Sequence, residues 1–74
     1  MSIMPILSAR LVIHKLVRAG FQYIKSHGSH YYYVHPITKR MTAVPLHGGN
    51  TIGRDLLHKI LKQAGLSLKE FLKL

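Results

Sequence analysis

The chain has 74 residues, 47% of them hydrophobic, with a net charge of +9 and no cysteine. That composition fits one small folded domain over residues 1–74 rather than a disordered basic tail, and it rules out a disulfide framework or a thiolate zinc site. Asp55 and Glu70 are the only carboxylate side chains, which disfavours paired-carboxylate catalysis and makes a polyanion the expected partner: nucleic acid first, then an anionic membrane surface, then an acidic protein.

The opening, Met1 to Leu7, has neither a basic n-region nor a long apolar h-region, so no signal peptide is expected. No apolar run approaches the roughly 20 residues of a membrane span, and a cytoplasmic protein is the expectation. Ser8 is placed to cap a helix. Leu11, Val12, Ile13, Leu16, Val17 and Ala19 give that helix a broad apolar face. Arg10, His14 and Arg18, with Lys15 beside them, recur on the other side. Gly20 suits the left-handed residue just past the helix end.

Phe21 to Lys25 is aromatic and β-branched and reads as a strand. Ser26-His27-Gly28-Ser29 is a tight connection in which Gly28 can take a positive φ. His30 to His35 is a second strand, stopped by Pro36, and Met41 to Val44 a third, closed by Pro45. Short connections imply an antiparallel meander. After the loop Leu46-His47-Gly48-Gly49-Asn50-Thr51, a helix from Arg54 to Ala64 carries the stripe Leu56, Leu57, Ile60, Leu61 and Ala64. Its polar side holds Arg54, His58 and Lys62 at a spacing of four, plus Lys59. Gly65 ends it, and Ser67 to Glu70 reads as a capping box that opens a short terminal helix. The expected fold class is therefore α+β, in the order α-β-β-β-α. It places a three-stranded antiparallel sheet under two helices on one face, plus a short C-terminal helix, the layout of double-stranded-RNA-binding domains.

With carboxylates so scarce, histidine is the acid or base available near neutral pH. His30 follows a glycine turn in the basic segment Lys25-Ser26-His27-Gly28-Ser29-His30, which suggests RNA binding and cleavage. Strand alternation places Tyr32 with His30 on the open face and sends Tyr31 and Tyr33 toward the helices. Lys25 and the backbone N–H groups of Gly28 and Ser29 are candidates to hold a phosphate, and Tyr32 is a candidate RNA contact. The Arg54, His58 and Lys62 stripe lacks the acidic residues that balance an ordinary surface, which suits RNA contact. His47-Gly48-Gly49-Asn50 is either a phosphate loop at a helix N-terminus or a plain connection. His27, His30 and His47 would make a three-histidine metal site, but no carboxylate or cysteine supports it, so no metal and no other cofactor is expected. Three functions stay open on the residues alone: a ribonuclease, a non-catalytic RNA-binding module, and a basic surface that docks an acidic protein.

Four segments, in order, resemble the HicA family of small mRNA interferase toxins. They are Ala19-Gly20-Phe21, Gly28-Ser29-His30, Val44-Pro45-Leu46-His47-Gly48-Gly49 and Ile60-Leu61-Lys62-Gln63-Ala64-Gly65-Leu66-Ser67. The resemblance spans Leu7 to Leu74. It implies a double-stranded-RNA-binding-like fold, ribosome-independent endoribonuclease activity on mRNA, His30 as the catalytic residue, and a cognate HicB-like antitoxin that binds and blocks the toxin. Many relatives have Gly-Thr where Asp55-Leu56 opens the second helix here. One histidine can suffice because RNA brings its own nucleophile, the 2′-hydroxyl beside the scissile phosphate. A second proton-transfer group stays open among His27, Ser29, Tyr31 and His47.

Overall fold

The structure, a computed structural model, describes residues 4–74; Met1-Ser2-Ile3 lies outside the described residues. The first helix, α1 (Ala9–Arg18), begins where the Ser8 hydroxyl accepts from the Leu11 N–H at 3.1 Å, the cap that the sequence offers. Beyond its end Gly20 takes φ +103°, and a β-carbon there would stand 2.8 Å from Nε2 of His35. Backbone and neighbouring ring both demand glycine at this position. The buried stripe of α1 is Ala9, Val12, Lys15 and Leu16. It is narrower than the expected apolar face: Leu11 and Val17 are exposed, and Lys15 is inside.

The meander follows as β2 (Gln22–His27), β3 (His30–Val34) and β4 (Met41–Pro45), an antiparallel sheet in that order. β2 runs on to His27, past the expected strand end, which leaves Gly28-Ser29 as the whole hairpin loop. Gly28, at φ +60°, occupies the first loop position, as a type II′ turn requires. The next strand stops one residue earlier than expected. His35 leaves it, and its Nδ1 accepts from the N–H groups of Ile37 and Thr38 at 3.2 and 3.3 Å. Across β3 and β4, Tyr31 pairs with Val44 and Tyr33 with Thr42 on the face toward the helices. His30 pairs with Pro45 and Tyr32 with Ala43 on the other face. Every residue of β2 is exposed. A bulge between Tyr23 and Lys25 interrupts its register, a feature that blunts strand edges.

A second pairing joins β1 (Leu7–Ser8) to β5 (Thr51–Ile52), with Leu7 opposite Ile52. It ties the entry of α1 to that of α2 (Arg54–Ala64), whose buried stripe is Leu57, Ile60, Leu61 and Ala64. Gly65 closes α2 in the left-handed conformation, φ +73°. The last helix, α3 (Leu68–Leu72), opens on the expected capping box. Glu70 N–H donates to the Ser67 hydroxyl at 3.0 Å, and Ser67 N–H donates to the Glu70 carboxylate at 3.0 Å. That backbone N–H, with the Ser67 hydroxyl second, holds the Glu70 carboxyl below its ordinary range.

A helix of five residues has little stability of its own. α3 is held by Phe71, fully buried in the core with Val12, Leu16, Leu57 and Ile60, and by Lys15. The Lys15 ammonium donates to the carbonyl oxygens of Leu74 at 2.8 Å and Leu72 at 3.4 Å. It lies 5.8 Å from the centre of the Phe71 ring. A cation expected among solvated ones is thus the tie between the first helix and the last. No described helix is long and apolar enough to cross a membrane.

Candidate nucleic-acid interface

The short hairpin loop fixes what the open sheet face presents. His27 and His30 are register partners across the turn, and two residues further along Lys25 is opposite Tyr32. These four side chains therefore share one face. Lys25 Nζ lies 5.3 Å from the centre of the Tyr32 ring, a cation over an aromatic face. His30 is exposed, and the hydrogen bonds among the described residues leave both its ring nitrogens unengaged. The turn itself is fastened down, since the Ser29 carbonyl accepts from Leu46 N–H at 2.8 Å.

The loop after β4 is built, not slack. Asn50 accepts from His47 N–H at 2.9 Å through Oδ1 and donates to the Pro45 carbonyl at 2.9 Å through Nδ2. Gly48 and Gly49 take φ +58° and +76° to allow that closure. His47 is exposed on this loop, and among the described residues no three of His, Cys, Asp or Glu gather into a group.

His30 opens onto a groove of about 200 Å³ between the sheet and α2, lined also by Ala43, Pro45, Leu56, Lys59, Ile60 and Gln63. Arg54, His58 and Lys62 lie elsewhere. On a helix with about 100° between residues they are centred nearly opposite the groove-lining positions. His58 and Lys62 instead line a depression of about 540 Å³ with Met4, Leu66, Ser67 and Leu68. Arg54 Nε donates to the Met4 carbonyl at 2.9 Å. Of the expected contact residues, then, the fold brings Lys25, Gly28, Ser29 and Tyr32 to His30 and sets the α2 stripe apart.

Lys59 and Gln63 reach the groove without having been singled out. The signal was present: Leu56, Lys59, Ile60 and Gln63 follow the i, i+3, i+4, i+7 spacing of one helix side, at the edge of the buried stripe. Neither carboxylate lines the groove. Asp55 sits in the first turn of α2, where the helix dipole favours it, and Glu70 is engaged in its capping box.

On the opposite sheet face Tyr23 stacks edge-on against Tyr33 at 5.8 Å and is tilted against Tyr31 at 6.1 Å. Burial, then the neighbouring Tyr23 and Tyr31, pushes the Tyr33 phenol above its ordinary range. Tyr31 faces away from His30.

These features define a small α+β domain of the double-stranded-RNA-binding layout, whose open sheet face is cationic and carries an exposed histidine at a hairpin end. The family model described as the HicA toxin of bacterial toxin–antitoxin systems matches residues 9–66, and the chain belongs to that family. No curated protein matches the chain. The family is one of toxins paired with antitoxins.

Proposed function

We propose that the protein is a metal-independent endoribonuclease that cleaves mRNA in the cytoplasm, with His30 as general acid or base. The observation that carries this reading is the exposed His30 between Lys25 and Lys59, on a face with no opposing carboxylate, in a chain of a toxin family. In the reaction the 2′-oxygen attacks the adjacent phosphorus, the P–O5′ bond breaks, and the products are a 2′,3′-cyclic phosphate and a 5′-hydroxyl. The 2′-hydroxyl proton passes to a base on the protein, and the departing 5′-oxygen takes a proton. His30 serves one of these transfers. His27, its register partner on the same face, is the group best placed for the other, whereas Tyr31 is on the wrong side of the sheet.

Lys25 and the N–H groups of Gly28 and Ser29 hold the phosphate, and Tyr32 offers a ring for base stacking. Arg54, His58 and Lys62 serve as an outlying contact strip for longer RNA. A HicB-like antitoxin with an acidic surface is the protein partner that blocks the toxin.

The test is incubation with single-stranded RNA in EDTA, beside His30→Ala. Loss of one proton-transfer group lowers the rate by about 10²–10⁴-fold. The exposed position leaves stability within about 0.5 kcal/mol. A substrate with 2′-deoxy at the scissile position must stay intact. Equal cleavage by parent and variant would overturn the assignment of His30, and cutting of the 2′-deoxy substrate would overturn the mechanism.

A further inference from the structure

We propose that the groove between the His30 face and α2 is a nucleobase subsite, in which the side-chain amide of Gln63 donates to the base next to the phosphate at His30. The inference rests on the RNA reading above and deepens it.

The groove has the right size and the right two ends. Its volume of about 200 Å³ lies below the roughly 300–1,000 Å³ of sites for drug-sized ligands, so it takes one heterocycle and not a base pair. Single-stranded RNA can splay such a base out of its stack. His30 faces Pro45 at one end of β4. Gln63 is bound at the other end, to Thr42. Along α2 the seven steps from Leu56 to Gln63 rise about 10.5 Å, and Lys59 lies between them, placed for the connecting phosphate. Ala43, Pro45 and Leu56 are only half-buried and supply the apolar walls that a flat base would cover.

The polar end is preset. Thr42, 2% exposed, has its hydroxyl donating to Gln63 Oε1 at 2.8 Å. That bond occupies the acceptor of the carboxamide and leaves the Nε2 hydrogens as free donors. A donor at this place is met by a carbonyl oxygen of uracil, cytosine or guanine, or by a ring nitrogen of adenine, so it holds a base of any identity. One such hydrogen bond strengthens binding by about three- to tenfold over a backbone that lacks the base.

The test uses a 2′-O-methyl tetranucleotide of U, which cannot be cut by 2′-oxygen attack, beside an abasic tetranucleotide of equal charge, each titrated into the full chain and followed by NMR. The expected result is tighter binding of the U oligomer than of the abasic one, with the Gln63 side-chain amide and the Leu56 methyl signals moving only with the former. Gln63→Glu keeps an acceptor for Thr42, and so keeps the fold, but removes the donors; it should weaken the U oligomer about three- to tenfold more than the abasic one. Equal affinity for the two oligomers, or signal changes at Lys25, Tyr32 and His30 with Leu56 and Gln63 unmoved, would overturn the subsite. Absence of cleavage in EDTA with the preference for the U oligomer intact would overturn the nuclease reading alone. Cleavage with Gln63 unmoved would overturn the subsite alone.

Discussion

The separation of two cationic strips around α2 gives a quantitative expectation for RNA affinity against salt. Lys25 and Lys59 flank His30, whereas Arg54 and Lys62 lie around the helix from it. Each cation that neutralises a phosphate of single-stranded RNA contributes about 0.7 to the slope of log affinity against log salt. Lys25→Gln with Lys59→Gln should therefore flatten the slope by about 1.4. Over a fourfold rise in salt the parent then loses about sevenfold more affinity than the double variant does. On an RNA of about four nucleotides, too short to leave the sheet face, Arg54→Gln with Lys62→Gln should leave the slope within about 0.3 of the parent's. On an RNA of about 20 nucleotides the same pair should lower it by up to about 1.4. Fluorescence anisotropy of the parent and both double variants with 2′-O-methyl RNA of each length, from 50 to 200 mM salt, measures the six slopes. If the α2 pair flattens the short-RNA slope as much as the sheet-face pair does, RNA does not lie over His30, and the site is misplaced.

Lys15→Met should cost about 2 kcal/mol, the value of a buried charge-assisted hydrogen bond, and lower Tm by roughly 8–16 °C. Amide exchange in α3 should quicken most, and unchanged protection there would show that Phe71 alone holds the helix. Gly20→Ala should cost about 1–3 kcal/mol in a urea melt, since φ +103° strains any side chain and the new methyl meets the His35 ring; a neutral substitution would contradict that backbone. The Tyr33 phenol has a folded pKa above its unfolded one, so the native state binds the extra proton, and stability is whole below the unfolded pKa and falls as pH rises through the folded one. Tyr33→Phe should flatten the alkaline fall in the urea midpoint, and a parallel fall in parent and variant would place its cause elsewhere.

Much of the fold could be read from local chemistry. Ser8 and the Ser67–Glu70 pair mark helix starts because a side-chain oxygen must meet the free N–H groups there, and the structure uses both. Strand alternation put His30 and Tyr32 on one face without reference to anything distant. Three features were not readable this way. β1 and β5 have two residues each, too few for any alternation. Lys15 occupies a core position because its hydrogen-bond partners, the carbonyls of Leu72 and Leu74 at and just past the end of α3, are 57–59 residues away, and hydropathy alone gives a lysine to solvent. The α2 stripe of Arg54, His58 and Lys62 was correctly seen as polar, but polarity does not tell which flank of a helix abuts the sheet. Lys59 and Gln63, on the flank beside the buried stripe, are the ones that do.

The two carboxylates show how the surface is charged. A chain with so few acids could have set them against the cations of the sheet face, but both stand in the first turns of helices. Asp55 there meets the positive end of the α2 dipole, and Glu70 accepts the Ser67 N–H. Each stabilises its helix locally, and neither lines the His30 groove. Lys25 and Lys59 are consequently left with no acidic group between them and a ligand. On the function proposed above, such a surface suits an RNA backbone and an acidic antitoxin alike. If the antitoxin's carboxylates take the place of the phosphates, inhibition needs no conformational change in the toxin: the antitoxin should compete directly with RNA, and its affinity should fall with salt as that of RNA does.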